Sequence, residues 1–346
     1  MEVKSAQPAI ILSHVFALMW YRALPGRVPK ARPDSFRVTA SQQDEIILRA
    51  IPSREQVRAV LGGSRSRMAP VPEILVSAKA RRTRPSDYHE HYVSGPLPHG
   101  ALWRGRAKGL YVVSPELLFA QLSKTVSFVD LCMIGQELCG TYVMPLDEHG
   151  ALQTVRDDEG KSRLHKHVPF TTPRRIAAAL DQMSGFGPKS KARRVLACIG
   201  AQSASPMESR LFLAMTMPRR KGGLGIPAPE LNREVKLNNE QRRMLRKHHL
   251  KCDLYWDNRL AVEYESFERH SSPSEYEETM ARATVLRMKG LEYVAMTPGT
   301  FYNYDRLMDK VAIIFKVLGI RHRKPVPKRE RLQRELIRQL GEAPSI

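Results

Sequence analysis

Residues 251–270 read KCDLYWDNRLAVEYESFERH, and this stretch sets five acids into a chain whose overall balance is strongly basic. HHLKCDLYW (248–256) has the composition of one strand and LAVEYES (260–266) of the next, with Asp257-Asn258 as a turn-favouring pair between them. Side chains alternate along a strand, so Leu260, Val262 and Tyr264 share one face while Ala261, Glu263 and Glu265 share the other. Two carboxylates two residues apart on one face repel each other unless something positive lies between them. A divalent cation is a candidate, because Mg²⁺ (or Mn²⁺) is hard and prefers carboxylate oxygen, and Asp253 on the adjacent strand can close a third side. The competing reading is a solvated outer face, and spacing alone leaves both open.

Around this hairpin the elements follow a definite order. SASPMESRLFLAM (203–215) predicts a helix opened by Ser205 or Pro206, and ETMARATVLRMKG (278–290) predicts a second helix ended by Gly290. LEYVAMTP (291–298) is a further strand. KGGLGIP (221–227) is a glycine turn without the Lys-Ser/Thr helix start of a phosphate-binding loop. Helix, hairpin, helix and strand together predict an α/β (α+β) unit over 201–320.

The first half has a different grammar. The apolar periodicity of 9–22 predicts a helix, and residues 73–82 a buried strand running into a basic loop. HGALWRGRAKGLYVVSP (99–115) reads as a hairpin. Residues 116–139 read as helical, with Ser114 as cap and Pro115 in the first turn. Residues 1–170 are therefore expected to form an N-terminal α+β domain, 171–200 a helical linker and 321–346 a basic tail. HEH (89–91) and HKH (165–167) offer metal ligands, but neighbouring polar histidines on loops are usually solvated, and both are read so here. Trp20, Trp103 and Trp256 are read as core.

Lys and Arg outnumber Asp and Glu by 56 to 35, a formal charge of +21. Residues 1–200 carry 29 basic against 17 acidic residues, whereas 201–320 carry 19 against 15. Such an excess suits a polyanion, DNA above all, because bound cationic side chains release phosphate counterions. Lys79, Arg81, Arg82 and Arg84 form a candidate phosphate-contacting loop. The four cysteines lack zinc-finger spacing and are expected as buried thiols. No apolar run reaches the roughly 20 residues of a membrane span, so a cytoplasmic protein is expected.

Asp253, Glu263 and Glu265 on a hairpin between two helices resemble the PD-(D/E)XK nuclease superfamily, in its very-short-patch-repair-like endonuclease branch. CDLYW (252–256), LAVEYES, His270, Arg282, Leu286 and Gly290 carry the likeness, which covers about 200–315. It implies a restriction-endonuclease-like mixed sheet and Mg²⁺-dependent phosphodiester hydrolysis. Asp253 and Glu263, with Glu265, would hold the ion, and His270 would serve as general base or orient the leaving group. Glu208 would orient a metal ligand, and Arg282 would contact nucleic acid. Glu265 replaces the lysine of the family pattern, and Lys251-Cys252 replaces its proline. In the first half, SHVFAL (13–18) and VVSPELLFAQL (112–122) resemble the abortive-infection antitoxin family of type IV toxin–antitoxin systems. That likeness implies a DNA-linked regulatory module with a possible toxin partner. The alternative to an endonuclease is thus a non-catalytic DNA-binding regulator or antitoxin.

Overall fold

The computed structural model describes residues 8–24, 33–61, 71–78, 87–93, 95–147, 152–153, 164–183, 189–257, 259–265, 273–321 and 325–342. The chain divides into two compact units, one within 1–199 and one within 200–343. Both mix helix and sheet, so the fold is α+β.

In the first unit the elements are β1 (Ile10–Leu12), α1 (His14–Ala23), α2 (Ala40–Leu48), α3 (Arg54–Leu61), β2 (Glu73–Val76), β3 (His89–Tyr92), β4 (Leu102–Arg104) and β5 (Leu110–Val113). There follow α4 (Pro115–Leu122), α5 (Phe128–Leu138), β6 (Tyr142–Val143), β7 (His165–Lys166), α6 (Pro173–Gln182) and α7 (Lys189–Leu196). The main sheet runs β3-β2-β1-β5-β4, with β1 parallel to β5 and antiparallel to β2, and β2 parallel to β3. The helix expected over 9–22 is therefore a strand followed by a helix. Ile10, Ile11 and Leu12 are all buried, as a central strand covered on both faces requires, and periodicity cannot separate so short an apolar run from a helix start.

Ser114 caps α4 by accepting from the Leu117 N–H, and Pro115 occupies its first turn. Tyr21 of α1 donates to the Val113 carbonyl at 2.8 Å. Arg22 forms a buried bidentate pair with Glu137 of α5, at 2.9 and 2.7 Å. Of residues 171–200, expected as a linker, 171–199 belong to the first unit. Ile176, Ala179 and Leu180 of α6 and Ala192 and Val195 of α7 are buried, and these helices pack on α4 and α5.

The second unit contains α8 (Pro206–Thr216), β8 (Glu230–Lys236), α9 (Asn239–Leu245), β9 (His249–Trp256), β10 (Leu260–Tyr264) and α10 (Pro273–Met288). It continues with β11 (Glu292–Met296), α11 (Pro298–Phe301), α12 (Tyr304–Val317) and α13 (Pro327–Gly341). Its sheet runs β11-β10-β9-β8. β8, β9 and β10 form an antiparallel meander, and β11 lies parallel to β10. Parallel neighbours need a crossover, which α10 supplies. Cys252, Tyr255 and Ala261 pack with Val285, Leu286 and Leu291 in one apolar cluster. Gly223 permits the turn after α8, since a Cβ there would lie 2.0 Å from the Met217 carbonyl oxygen.

The segment expected as a basic tail ends in a packed helix. Gln333, Leu336, Ile337 and Leu340 of α13 are buried at helical spacing, and α13 packs on α8. Among the described residues, no helix is long and apolar enough to cross a membrane.

Candidate functional site

Strand β10 lies between β9 and β11, which explains why its acids are enclosed. The β9–β10 ladder ends with the pair Leu254–Val262. Just beyond it, side chains take over from backbone pairing. The Tyr264 N–H donates to Asp253 Oδ2 at 2.8 Å, and the Asp253 N–H donates to Glu263 Oε1 at 3.4 Å. Backbone amides in a buried fork need acceptors, so one task of these acids is to close the hairpin where its strands separate.

Glu263 is 1 % exposed. Arg282 of α10 donates through Nη2 both to Glu263 Oε2 and to the Lys251 carbonyl. Burial pushes the Glu263 carboxyl well above the usual carboxylate range and the negative charge of Asp253 pushes the same way, while the Arg282 guanidinium opposes both.

Glu208, in the first turn of α8, is linked to the same group through the charge of Asp253, though among the described residues it does not gather with Asp253 and Glu263 as a three-ligand metal group. Ser205 caps that helix and donates its hydroxyl to Glu208 Oε1 at 2.9 Å. Glu208 Oε2 accepts from the Ala204 N–H at 2.8 Å and from Asn232 Nδ2 at 2.6 Å. Asn232 sits on β8 with a left-handed φ of 52°, a conformation that asparagine tolerates better than most residues. Burial and then Asp253 raise the Glu208 carboxyl from 4.5 to about 7. Two buried carboxyls, from a helix and a strand, are thus both shifted by one aspartate.

The structure divides the predicted residues. Asp253, Glu263 and Glu208 come together electrostatically. Glu265 is buried but accepts from the Tyr293 hydroxyl of β11 at 2.9 Å. Among the described residues, Asp253, Glu263 and Glu265 do not gather as a three-ligand metal group. The positive group at Glu263 is a guanidinium, so a cation shared by Glu263 and Glu265 is not needed to explain the burial of both. Arg282, expected on nucleic acid, is engaged inward with its side chain 14 % exposed. His270, Lys79, Arg81, Arg82 and Arg84 lie outside the described residues.

Asn232 and Tyr293 complete the acid cluster, bonding Glu208 and Glu265. Neither stands out by motif, because each matters only through sheet register. A pocket in the same unit, lined by Arg219, Arg321, Arg329 and Gln333 together with Leu224, Met308, Phe315 and Pro325, also draws on segments far apart in sequence. In the first unit, HEH lies on β3 rather than in a loop, and His91 joins Glu73 and His14 in a metal-capable trio.

No family model, no curated protein and no solved structure matches this chain.

Proposed function

We propose that the second unit is a Mg²⁺-dependent endonuclease acting on DNA, of the PD-(D/E)XK type. The observation that carries this reading is the set Glu208, Asp253 and Glu263 at the open end of a hairpin, within the order helix, strands, helix, strand. The donors suit a hard cation. Mg²⁺ commonly binds through one or two carboxylates, with water and substrate phosphate completing its shell, so Asp253 and Glu263 suffice and Glu265 need not take part. Burial, and after it the charge of Asp253, raises the Glu208 and Glu263 carboxyls, and a bound dication would offset the share that comes from Asp253. When bound, Mg²⁺ would polarise a phosphate and lower the pKa of a bound water.

The chain's own residues support this role. Asn232, Ser205 and the Ala204 amide hold Glu208 in one orientation. Arg282 holds Glu263 and would have to share that carboxylate with an incoming cation. Arg219, Arg321 and Arg329 supply positive charge in the same unit, suited to phosphate oxygens. His270 remains the proposed base.

The test is cleavage of supercoiled plasmid by the full chain with Mg²⁺ or Mn²⁺. Asp253→Asn and Glu263→Gln should each lower nicking to below about 1 % of wild type while salt-sensitive DNA binding persists. Equal cleavage by wild type and both variants, or no cation-dependent cleavage by wild type, sinks the proposal. One observation favours a second reading, that of a non-catalytic DNA-binding regulator or antitoxin: the guanidinium of Arg282 already neutralises Glu263. DNA binding without cleavage, unaffected by loss of these acids, would support it, and a toxin partner would then be sought.

A further inference from the structure

We propose that His14, Glu73 and His91 form a binding site for a divalent transition-metal cation of the Zn²⁺ class, independent of any cation at the acidic hairpin.

The three residues come from three elements of the first unit. His14 opens α1 directly after the central strand β1, Glu73 opens β2, and His91 lies in β3. The parallel β2–β3 register sets His91 beside Leu75, two residues on from Glu73, so strand alternation returns both side chains to one face. One ligand atom from each residue lies within 4.8 Å of the others. A tetrahedral site with bonds of about 2.0–2.2 Å needs donors roughly 3.3–3.5 Å apart. The residual gap is within reach of side-chain torsions, since the His91 and Glu73 side chains are 32 % and 19 % exposed.

The donors are held in advance. Glu73 Oε2 accepts from the Val15 N–H at 2.8 Å, which turns Oε1 towards His91 Nε2, 3.1 Å away. The His14 backbone N–H donates to Gln121 Oε1 at 3.3 Å, and its Nδ1 lies 3.1 Å from the Ser13 hydroxyl. Such outer partners fix the orientation of metal ligands. His14 also takes a φ of 49°. A non-glycine residue in this region is strained unless its surroundings demand it, and such strain concentrates at functional positions.

Ligand chemistry selects the ion. Two imidazoles and one carboxylate suit Zn²⁺ and its first-row neighbours, whereas Mg²⁺ prefers oxygen alone. Three protein ligands leave a position for water or a further donor. The two rings stack with centroids 3.6 Å apart and an interplanar angle of 23°; imidazole lone pairs lie in the ring plane, so one ring must turn out of the stack for both to donate to one ion. The competing account is an ordinary His–Glu pair beside a stacked ring, which would bind no metal.

The test uses the full chain stripped with a chelator. Co²⁺ should bring up visible ligand-field bands, and Zn²⁺, read by competition with a chromophoric chelator, should displace it stoichiometrically while Mg²⁺ does not. His91→Ala and Glu73→Gln should each weaken Zn²⁺ binding by about 100-fold or more. His89→Ala, on the same strand but outside the trio, should not. If His91→Ala fails to fold, imidazole ¹⁵N shifts of wild type on Zn²⁺ addition must move for His14 and His91. Absence of stoichiometric Zn²⁺ binding by wild type overturns the proposal. So does binding retained in both variants, or binding lost instead in Asp253→Asn and Glu263→Gln.

Discussion

Arg282→Met is the perturbation that isolates the acid cluster's electrostatics. It keeps the aliphatic stem but leaves Glu263, with a side chain 2 % exposed, without the guanidinium that bonds it. Removing one partner of a buried ion pair costs about 3–5 kcal/mol, and losing the bond to the Lys251 carbonyl adds about 1 kcal/mol. The loss must depend on pH. Glu263 already titrates well above the usual carboxylate range and rises further without Arg282, so it folds more easily when protonated. A folded-state pKa above the unfolded value gives stability that is present in acid and lost as pH rises. The variant should therefore lose about 4–6 kcal/mol at pH 8 and about 1–2 kcal/mol at pH 5. Urea unfolding followed by Trp256, the sole tryptophan of residues 200–343, reads this in the second unit. Glu263→Gln in the same chain should recover most of the loss at pH 8. If the cation competes with Arg282, Mg²⁺ at 100 times its Kd should return about 2.7 kcal/mol. A loss below about 1 kcal/mol at pH 8, or equal losses at both pH values, refutes the reasoning.

Three further outcomes follow from the same physics. With its carboxyl raised from 4.5 to about 7, Glu208 contributes stability that is full below about pH 4.5 and falls by about 3 kcal/mol as pH rises to 7; Glu208→Gln should flatten that slope in urea titrations. In the first unit, Glu137→Ala leaves Arg22 buried without its bidentate partner and should cost about 3–5 kcal/mol by chemical denaturation. Gly223→Ala places a methyl 2.0 Å from the Met217 carbonyl oxygen and should cost about 3 kcal/mol or more in thermal and urea unfolding.

Legibility in the sequence followed the range of the interactions concerned. The caps at Ser114 and Ser205 were readable because each bonds an amide three residues ahead. The strand at 260–264, the body of the helix expected from 278 and the turn at Gly290, with its φ of 78°, are similarly local, although that helix begins five residues earlier, at Pro273. The first strand was not readable, because Ile10–Leu12 is too short to show a period and becomes a strand only through β2 and β5. The burial of the last helix is not readable, because its many charges hide Leu336, Ile337 and Leu340, which pack only against a neighbouring surface.

For the acids of 251–270, the sequence by itself determined that two strands would carry Asp253 and Glu263 and that Glu208 would open a helix upstream; Glu265, expected in the second strand, lies one residue past its end. Only the tertiary structure decided what each carboxylate meets. Glu263 takes Arg282, Glu265 takes the Tyr293 hydroxyl, and Asp253 accepts the amide of Tyr264 where the ladder opens. It likewise brought His14, Glu73 and His91 together across a sheet. Alternation along a strand is encoded residue by residue, but the partner across a strand is set by register and by the helix that packs over it. The low-dielectric interior then turns those choices into large electrostatic differences.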